Sequence, residues 1–217
     1  MSGIDKLWAP VAGPDGRRRP LLAYSLAPFE ACPAVERIVL VADNDALERA
    51  RALVGDDGFA KVCAVVPGGT RRQDSVRAGL EALGRCAWVV VHDGARPLVT
   101  EELIERGLEE ARESGAACCA LPVPDTVKEG DEAGHVVRTL VRSRLWLAQT
   151  PQVFSYELLL KAHRQAEGEA TDDAALVEAL GVKVLLYRGS PRNLKVTTQE
   201  DLALVEVLLQ GQASHET

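Results

Sequence analysis

Aromatic side chains are scarce in this chain, at 4% of 217 residues, so its core has to be aliphatic. That suits helices packed on a β-branched sheet. No apolar run is long enough to span a bilayer and no cleavable N-terminal signal is visible, which points to the cytoplasm. The five cysteines (Cys32, Cys63, Cys86, Cys118, Cys119) show no Cys-x-x-Cys spacing and read as small buried residues of a reducing compartment. A Gly-x-Gly-x-x-Gly fingerprint is absent, as are a Gly-x-x-x-x-Gly-Lys-Ser/Thr loop and any paired His/Cys metal spacing. The net charge of −7 argues against a general affinity for nucleic acid or anionic membrane. It leaves room for small anions wherever arginines cluster.

Hydrophobic residues make up 47% of the chain, ample for a core, and no composition break marks a linker. One domain over residues 1–217 is the expectation. Its organising stretch is Trp88-Val89-Val90-Val91-His92-Asp93-Gly94-Ala95-Arg96-Pro97. Four apolar residues running into a polar tip read as a strand buried on both faces. Ligands of open α/β sheets sit outside the carboxyl ends of the strands. There Asp93 can hold a divalent metal and Arg96 can fork onto phosphate. The plainer reading is that Asp93 caps the next turn and Arg96 is solvated.

Strands and helices alternate along the chain. Leu7 to Ala12 reads as the first strand, ended by Pro10. Gly13 to Pro20, with Arg17, Arg18 and Arg19, serves equally as a phosphate-cradling turn or a basic surface turn. A helix follows from Pro20 to Phe29, then a strand over Val35–Ala42, a helix over Ala46–Val54 and a strand over Val62–Val66. Pro67-Gly68-Gly69 leads through Thr70 to Ser75 into a helix, either an anion site or ordinary capping by Asp74 or Ser75. Thr100 caps a helix to about Arg112, and Ala116–Val123 is a strand. Val127 to Leu140 folds as a hairpin around a polar turn. A lone hairpin is marginal in water, so this one should pack on something, such as a second subunit. Ser155–Ala166 is an amphipathic helix, Thr171 caps the next, Val182–Tyr187 is a strand, and a last helix runs from Gln199 to Leu209. The whole reads as a doubly wound, mostly parallel α/β sheet. Of four scattered histidines, His163 falls on a helix and His215 in the tail, and neither is attractive as a catalytic group. His92 reads as a structural hydrogen-bonder.

Seven segments in series resemble the 2-C-methyl-D-erythritol 4-phosphate cytidylyltransferase family of non-mevalonate isoprenoid synthesis. They are Pro67–Arg72, Ser75–Leu80, Val91–Pro97, Pro122–Lys128, Gln149–Gln152, Thr171–Ala174 and Asn193–Thr197. The resemblance covers roughly residues 35–209. It implies a Rossmann-like nucleotidyltransferase that moves cytidine monophosphate from CTP onto methylerythritol phosphate, releases diphosphate and requires magnesium. It also implies a homodimer whose hairpin arms, here about residues 124–146, reach the partner's site. By position, Asp93 would hold magnesium. Gly68, Gly69 and Ser75 would hold the cytosine and ribose, with Ala12, Gly13 and Arg72 also on the nucleotide. Asp93, Arg96, Thr126, Arg142, Thr150 and Lys195 would hold the acceptor phosphate, and Lys195 and Arg142 would also act in catalysis. Relatives acting on ribitol 5-phosphate share most of these segments, and a weakened nucleotide-binding homologue is a further alternative.

The front departs from the family pattern. If Ala9–Gly13 is the end of the family's first strand, the Pro-Lys pair before the first helix is missing, and Arg17 and Arg18 stand in for its charge. Placing Asp5-Lys6 on that pair restores the lysine but deletes the first strand. That would leave two ladders unpaired, at about 1–3 kcal/mol for each buried unpaired group. The first alignment is therefore preferred.

Overall fold

The computed structural model describes residues 6–211, so Asp5 and His215 lie outside the described residues. The largest sheet is built on a run of small apolar residues, β6 (Ala116–Pro122), buried from Ala116 to Ala120. β6 pairs in parallel with β10 (Leu185–Arg188) and antiparallel with β9 (Trp146–Ser155), which pairs antiparallel with β5 (Trp88–Val91). The order β10-β6-β9-β5 is a mixed sheet, not the mostly parallel one expected. The difference lies in β9, a ten-residue strand that polar Gln149, Thr150 and Gln152, with Pro151 among them, concealed.

Helices cover both faces, as the β-branched and aliphatic strands require. On one face α1 (Leu21–Ala31) and α4 (Glu101–Ser114) bring Phe29 and Ile104 onto Val153 and Tyr187. On the other, α3 (Arg72–Leu83), α5 (Tyr156–Gln165) and α6 (Asp173–Glu178) pack Leu80, Leu159 and Val177 on Phe154. Val153 and Phe154 are successive residues of β9, so the period-2 alternation of a strand feeds the two cores in turn. Thr100 caps α4 as expected, its hydroxyl accepting from the Leu103 amide at 3.3 Å. The cap of α6 is Asp172, not Thr171; its Oδ1 accepts from the Ala175 amide at 2.9 Å. A charged oxygen there also meets the helix dipole favourably.

Two pairings stand outside this sheet. β3 (Ile38–Ala42) pairs in parallel with β4 (Val62–Pro67), and α2 (Leu47–Asp56) packs Ala50 and Leu53 into the apolar cluster around Leu40. The front of the chain departs most from expectation. β1 (Pro10–Ala12) does not enter a central sheet but turns back antiparallel onto β2 (Arg18–Pro20). Val11 packs against Val205 and Leu209 of the last helix, α7 (Gln199–Gln210). Among the described residues, β3 has only β4 as ladder partner and β5 only β9. Between the two runs opens a cleft of about 880 Å³, lined by Ile38–Ala42, Trp88–Val91 and apolar residues of α1, α3 and α4. The penalty invoked against deleting a central strand does not apply in full. These edges face an opening with ample room for water rather than a sealed core.

The hairpin is present as β7 (Lys128–Gly130) and β8 (Val136–Thr139) and is exposed along its length. No helix among the described residues is long and apolar enough to cross a membrane.

Candidate functional site

The cleft ends at the carboxyl ends of β3 and β5, where Asp43, Arg72, Ser75, His92 and Asp93 line it. After Val91 the chain makes a tight turn, the Arg96 amide donating to the Asp93 carbonyl at 3.0 Å. Two distant segments hold this turn. From β9, the Thr150 hydroxyl accepts from the Asp93 amide and lies 3.0 Å from His92 Nδ1. His92 Nε2 faces the Arg96 carbonyl at 3.1 Å, so Nε2 carries the proton and Nδ1 accepts from Thr150. Burial holds the His92 pKa down at about 4, so the ring is neutral near pH 7. It is the structural hydrogen-bonder the sequence suggested.

The second segment precedes α7. The Val196 amide donates to the Ala95 carbonyl at 2.8 Å, and Arg96 Nη1 donates to the Asn193 carbonyl at 2.8 Å. Asn193 is fully buried and its Nδ2 donates to the Thr150 carbonyl at 2.8 Å. Gln149 Nε2 donates to the carbonyls of Ser190 and Asn193. Three segments far apart in sequence, 92–97, 149–152 and 193–197, thus meet at one rim.

At its centre is Asp93. Lys195 Nζ lies 2.9 Å from Oδ2, Arg96 Nε 4.0 Å from Oδ2, and Arg72 Nε 3.7 Å from Oδ1. Burial pushes the Asp93 carboxyl up in pKa. The hydrogen bond and charge of Lys195, with the charges of Arg72 and Arg96, outweigh it and hold the pKa below the usual carboxylate range. The three cations face two carboxylates, Asp93 and the Asp173 paired with Arg72, which leaves one positive charge in excess, the sign an oligophosphate needs.

Beside them, Gly68 and Gly69 turn into α3. A Cβ on Gly68 would come within 2.8 Å of Ser75 Oγ and one on Gly69 within 2.3 Å of Asp74 Cβ, so only glycine lets the turn close on the helix. The Gly69 amide donates to Ser75 Oγ at 3.1 Å.

The other expected residues fall elsewhere. Arg18 pairs with Glu206 of α7 at 3.1 Å and donates to the Pro10 carbonyl. Arg19 pairs with Asp15, and the carbonyl of Arg17 accepts from the Gly13 amide and the Tyr24 hydroxyl. Ala12 and Gly13 stand at the end of β1 in that same hairpin. None of the cations found on Asp93 comes from this turn. Thr126 and Arg142 lie on the exposed arm, where Arg142 Nη1 donates to the Pro124 carbonyl at 2.7 Å. Thr150 belongs to the rim, but its hydroxyl is committed to the Asp93 turn.

The family model for IspD, 2-C-methyl-D-erythritol 4-phosphate cytidylyltransferase, matches residues 1–211. The chain belongs to this family. The 2-C-methyl-D-erythritol 4-phosphate cytidylyltransferase of Dehalococcoides mccartyi strain CBDB1 is 46% identical over 209 residues, which cover 96% of this chain and 90% of that one. Among solved structures, the cytidylyltransferase of Thermus thermophilus superposes with a TM-score of 0.78 at 37% identity, covering 96% and 95% of the two chains. The 4-diphosphocytidyl-2C-methyl-D-erythritol synthase of Anaerococcus prevotii gives 0.81 at 30% identity over 88% and 86%.

The sequence reading set aside one residue near the site and passed over a buried pair. Lys6 precedes Leu7, whose side chain abuts Gly94 closely enough to lie 3.5 Å from a Cβ placed there, beside Leu22 at 3.0 Å. Lys6 is thus one residue from a contact with the Asp93 turn, the position the rejected alignment assigned to the family lysine. The buried pair is His163 and Asp173, behind Arg72. Its signal was readable: His163 follows Tyr156 and Leu159 by seven and four residues, on the buried face of α5.

Proposed function

We propose that this chain transfers the cytidylyl group of CTP to 2-C-methyl-D-erythritol 4-phosphate with release of diphosphate. The observation that carries this reading is the Asp93 carboxylate ringed by Lys195, Arg72 and Arg96 at the strand ends. A phosphate oxygen of the acceptor attacks the α-phosphorus of CTP; a new P–O bond forms and the bond to the β-phosphate breaks. The attacking oxygen is already anionic, so no strong base is needed. What the protein has to supply is alignment and charge neutralisation.

Lys195 meets the charge that builds at the α-phosphorus. Gly68, Gly69 and Ser75 border the pocket for cytosine and ribose, and Arg72 faces the triphosphate. The cation at the front would come from Arg17 and Arg18 or from Lys6, whose neighbour Leu7 packs near Gly94. Magnesium fits the donor set: it binds through one or two carboxylates together with substrate phosphates, and Asp93 is such a carboxylate. No group of three or more His, Cys, Asp or Glu side chains clusters among the described residues, so Asp93 would hold magnesium together with substrate phosphates. Asp93 would hold the ion, which would supply charge neutralisation, and Lys195, Arg72 and Arg96 would then be free to meet the phosphates.

The chain works as a homodimer in this reading. Val136, Val137 and Val141 are 62%, 59% and 64% exposed, and an apolar hairpin of that kind gains by being covered. Thr126 and Arg142 would then meet the acceptor in the partner's site. The Rossmann-like winding and a cytoplasmic setting complete the proposal. The test is diphosphate release from CTP and methylerythritol phosphate with magnesium, with ribitol 5-phosphate as competitor acceptor. Release that needs methylerythritol phosphate supports the reading; CTP binding without release refutes it.

A further inference from the structure

Behind the ring of cations lies a buried hydrogen-bonded pair, His163 and Asp173, that transfer itself does not call for. Asp173, at the start of α6, is fully buried. One carboxylate oxygen accepts from Arg72 Nη1 at 2.7 Å, and the other lies 2.9 Å from Nε2 of His163 on α5, whose side chain is 2% exposed. A carboxylate only accepts, so His163 donates through Nε2. A buried charge is tolerated only when paired and hydrogen-bonded, and each oxygen of Asp173 has its partner. Arg72 in turn presents its Nε edge to Asp93 at 3.7 Å. The guanidinium is a rigid planar fork, so holding one end sets the direction of the other.

The neighbouring residues secure this presentation. Gln73 Nε2 donates to the Gly168 carbonyl and its Oε1 accepts from the Ala170 amide, which ties the loop before α6 to the first turn of α3. Gln152 of β9 donates to Asp172 and accepts from the Ala174 amide. Asp173 is thus delivered to a fixed point by both flanks.

We propose that Asp173, with His163 behind it, is a positioning residue for Arg72, aiming the guanidinium at the nucleotide phosphates beside Asp93. This rests on the cytidylyltransferase reading for its catalytic consequence but not for its structural one. The experiment has two arms to keep these apart. The first follows the Arg72 guanidinium by nitrogen-detected NMR in the intact protein without substrate. Rotation about its Cζ bonds is slow in the wild type and becomes fast in Asp173→Asn; equally slow rotation in both overturns the proposal whatever the enzyme does. The second measures kinetics. Asp173→Asn raises the KM for CTP at least tenfold and moves that for the acceptor less than twofold. Arg72→Lys alone and combined with Asp173→Asn agree within twofold, since the two residues act as one unit. His163→Gln, which keeps a donor, stays within threefold of wild type, and His163→Leu falls at least fivefold. Additive losses, equal effects on both substrates, or His163→Gln as damaged as His163→Leu overturn it. If the wild type releases no diphosphate the cytidylyltransferase reading fails, and the NMR arm still decides whether Asp173 holds Arg72.

Discussion

The rim around Asp93 and the arm over about residues 124–146 carry the two halves of the proposed acceptor site, and they are built in opposite ways. The rim is locked by the chain itself. Thr150, Asn193, Gln149 and Arg96 each bind main-chain atoms of another segment, and each is buried. The arm is held mostly by local hydrogen bonds, such as Leu140 to Val127 and Arg142 to Pro124, and its apolar residues face solvent. Groups that must meet developing charge are preorganised where reorganisation would be costly. In the proposed dimer, groups on the arm would be ordered by the second subunit.

This contrast can be broken at four points. The largest effect belongs to the centre: Asp93→Asn lowers kcat of diphosphate release by about 10²–10³-fold. Far-UV circular dichroism stays unchanged, and a variant with near-full activity would remove Asp93 from the machinery. Next is the arm. Val136→Asp with Val137→Asp yields a monomer by sedimentation, with turnover down by at least tenfold and Tm within a few degrees. A dimeric or fully active variant would erase the distinction between the two regions. Third, Asn193→Ala deletes the buried bond to the Thr150 carbonyl and costs about 1–3 kcal/mol in denaturant unfolding, while Arg142→Ala on the arm leaves stability within about 0.5 kcal/mol. Equal losses would contradict the idea that only the rim is structural.

The smallest effect is a pH dependence. His92 titrates at about 4 in the fold and near 6.5 when unfolded, so the unfolded state takes up its proton first as pH falls. Its contribution is complete above about pH 6.5 and is lost progressively towards pH 4. His92→Gln should flatten that part of the stability curve; an unchanged slope would place the proton elsewhere.

Much of this was legible from local pattern. The run Trp88–Val91 is a strand, Thr100 does cap its helix, and the segments quoted around Asp93 and Lys195 do converge. What escaped had a common cause. β9 carries Gln149, Thr150 and Gln152, polar by composition yet buried because they bind the rim and the start of α6. A pattern that equates polar with exposed cannot find such a strand. The front was misread for a different reason. The apolar run Leu7 to Ala12 carries no information about which neighbour it will meet; its strand begins at Pro10 instead of ending there, and it meets Arg18 to Pro20.

The cleft between β3 and β5 has one more consequence. Each strand offers a row of main-chain donors and acceptors to the opening, and such rows are templates for any extended polypeptide of the right polarity. Two of them face each other here, with aliphatic side chains above and below. Amide protons of Ile38–Ala42 and Trp88–Val91 are therefore expected to exchange faster than those of Ala116–Ala120, which hydrogen exchange would check.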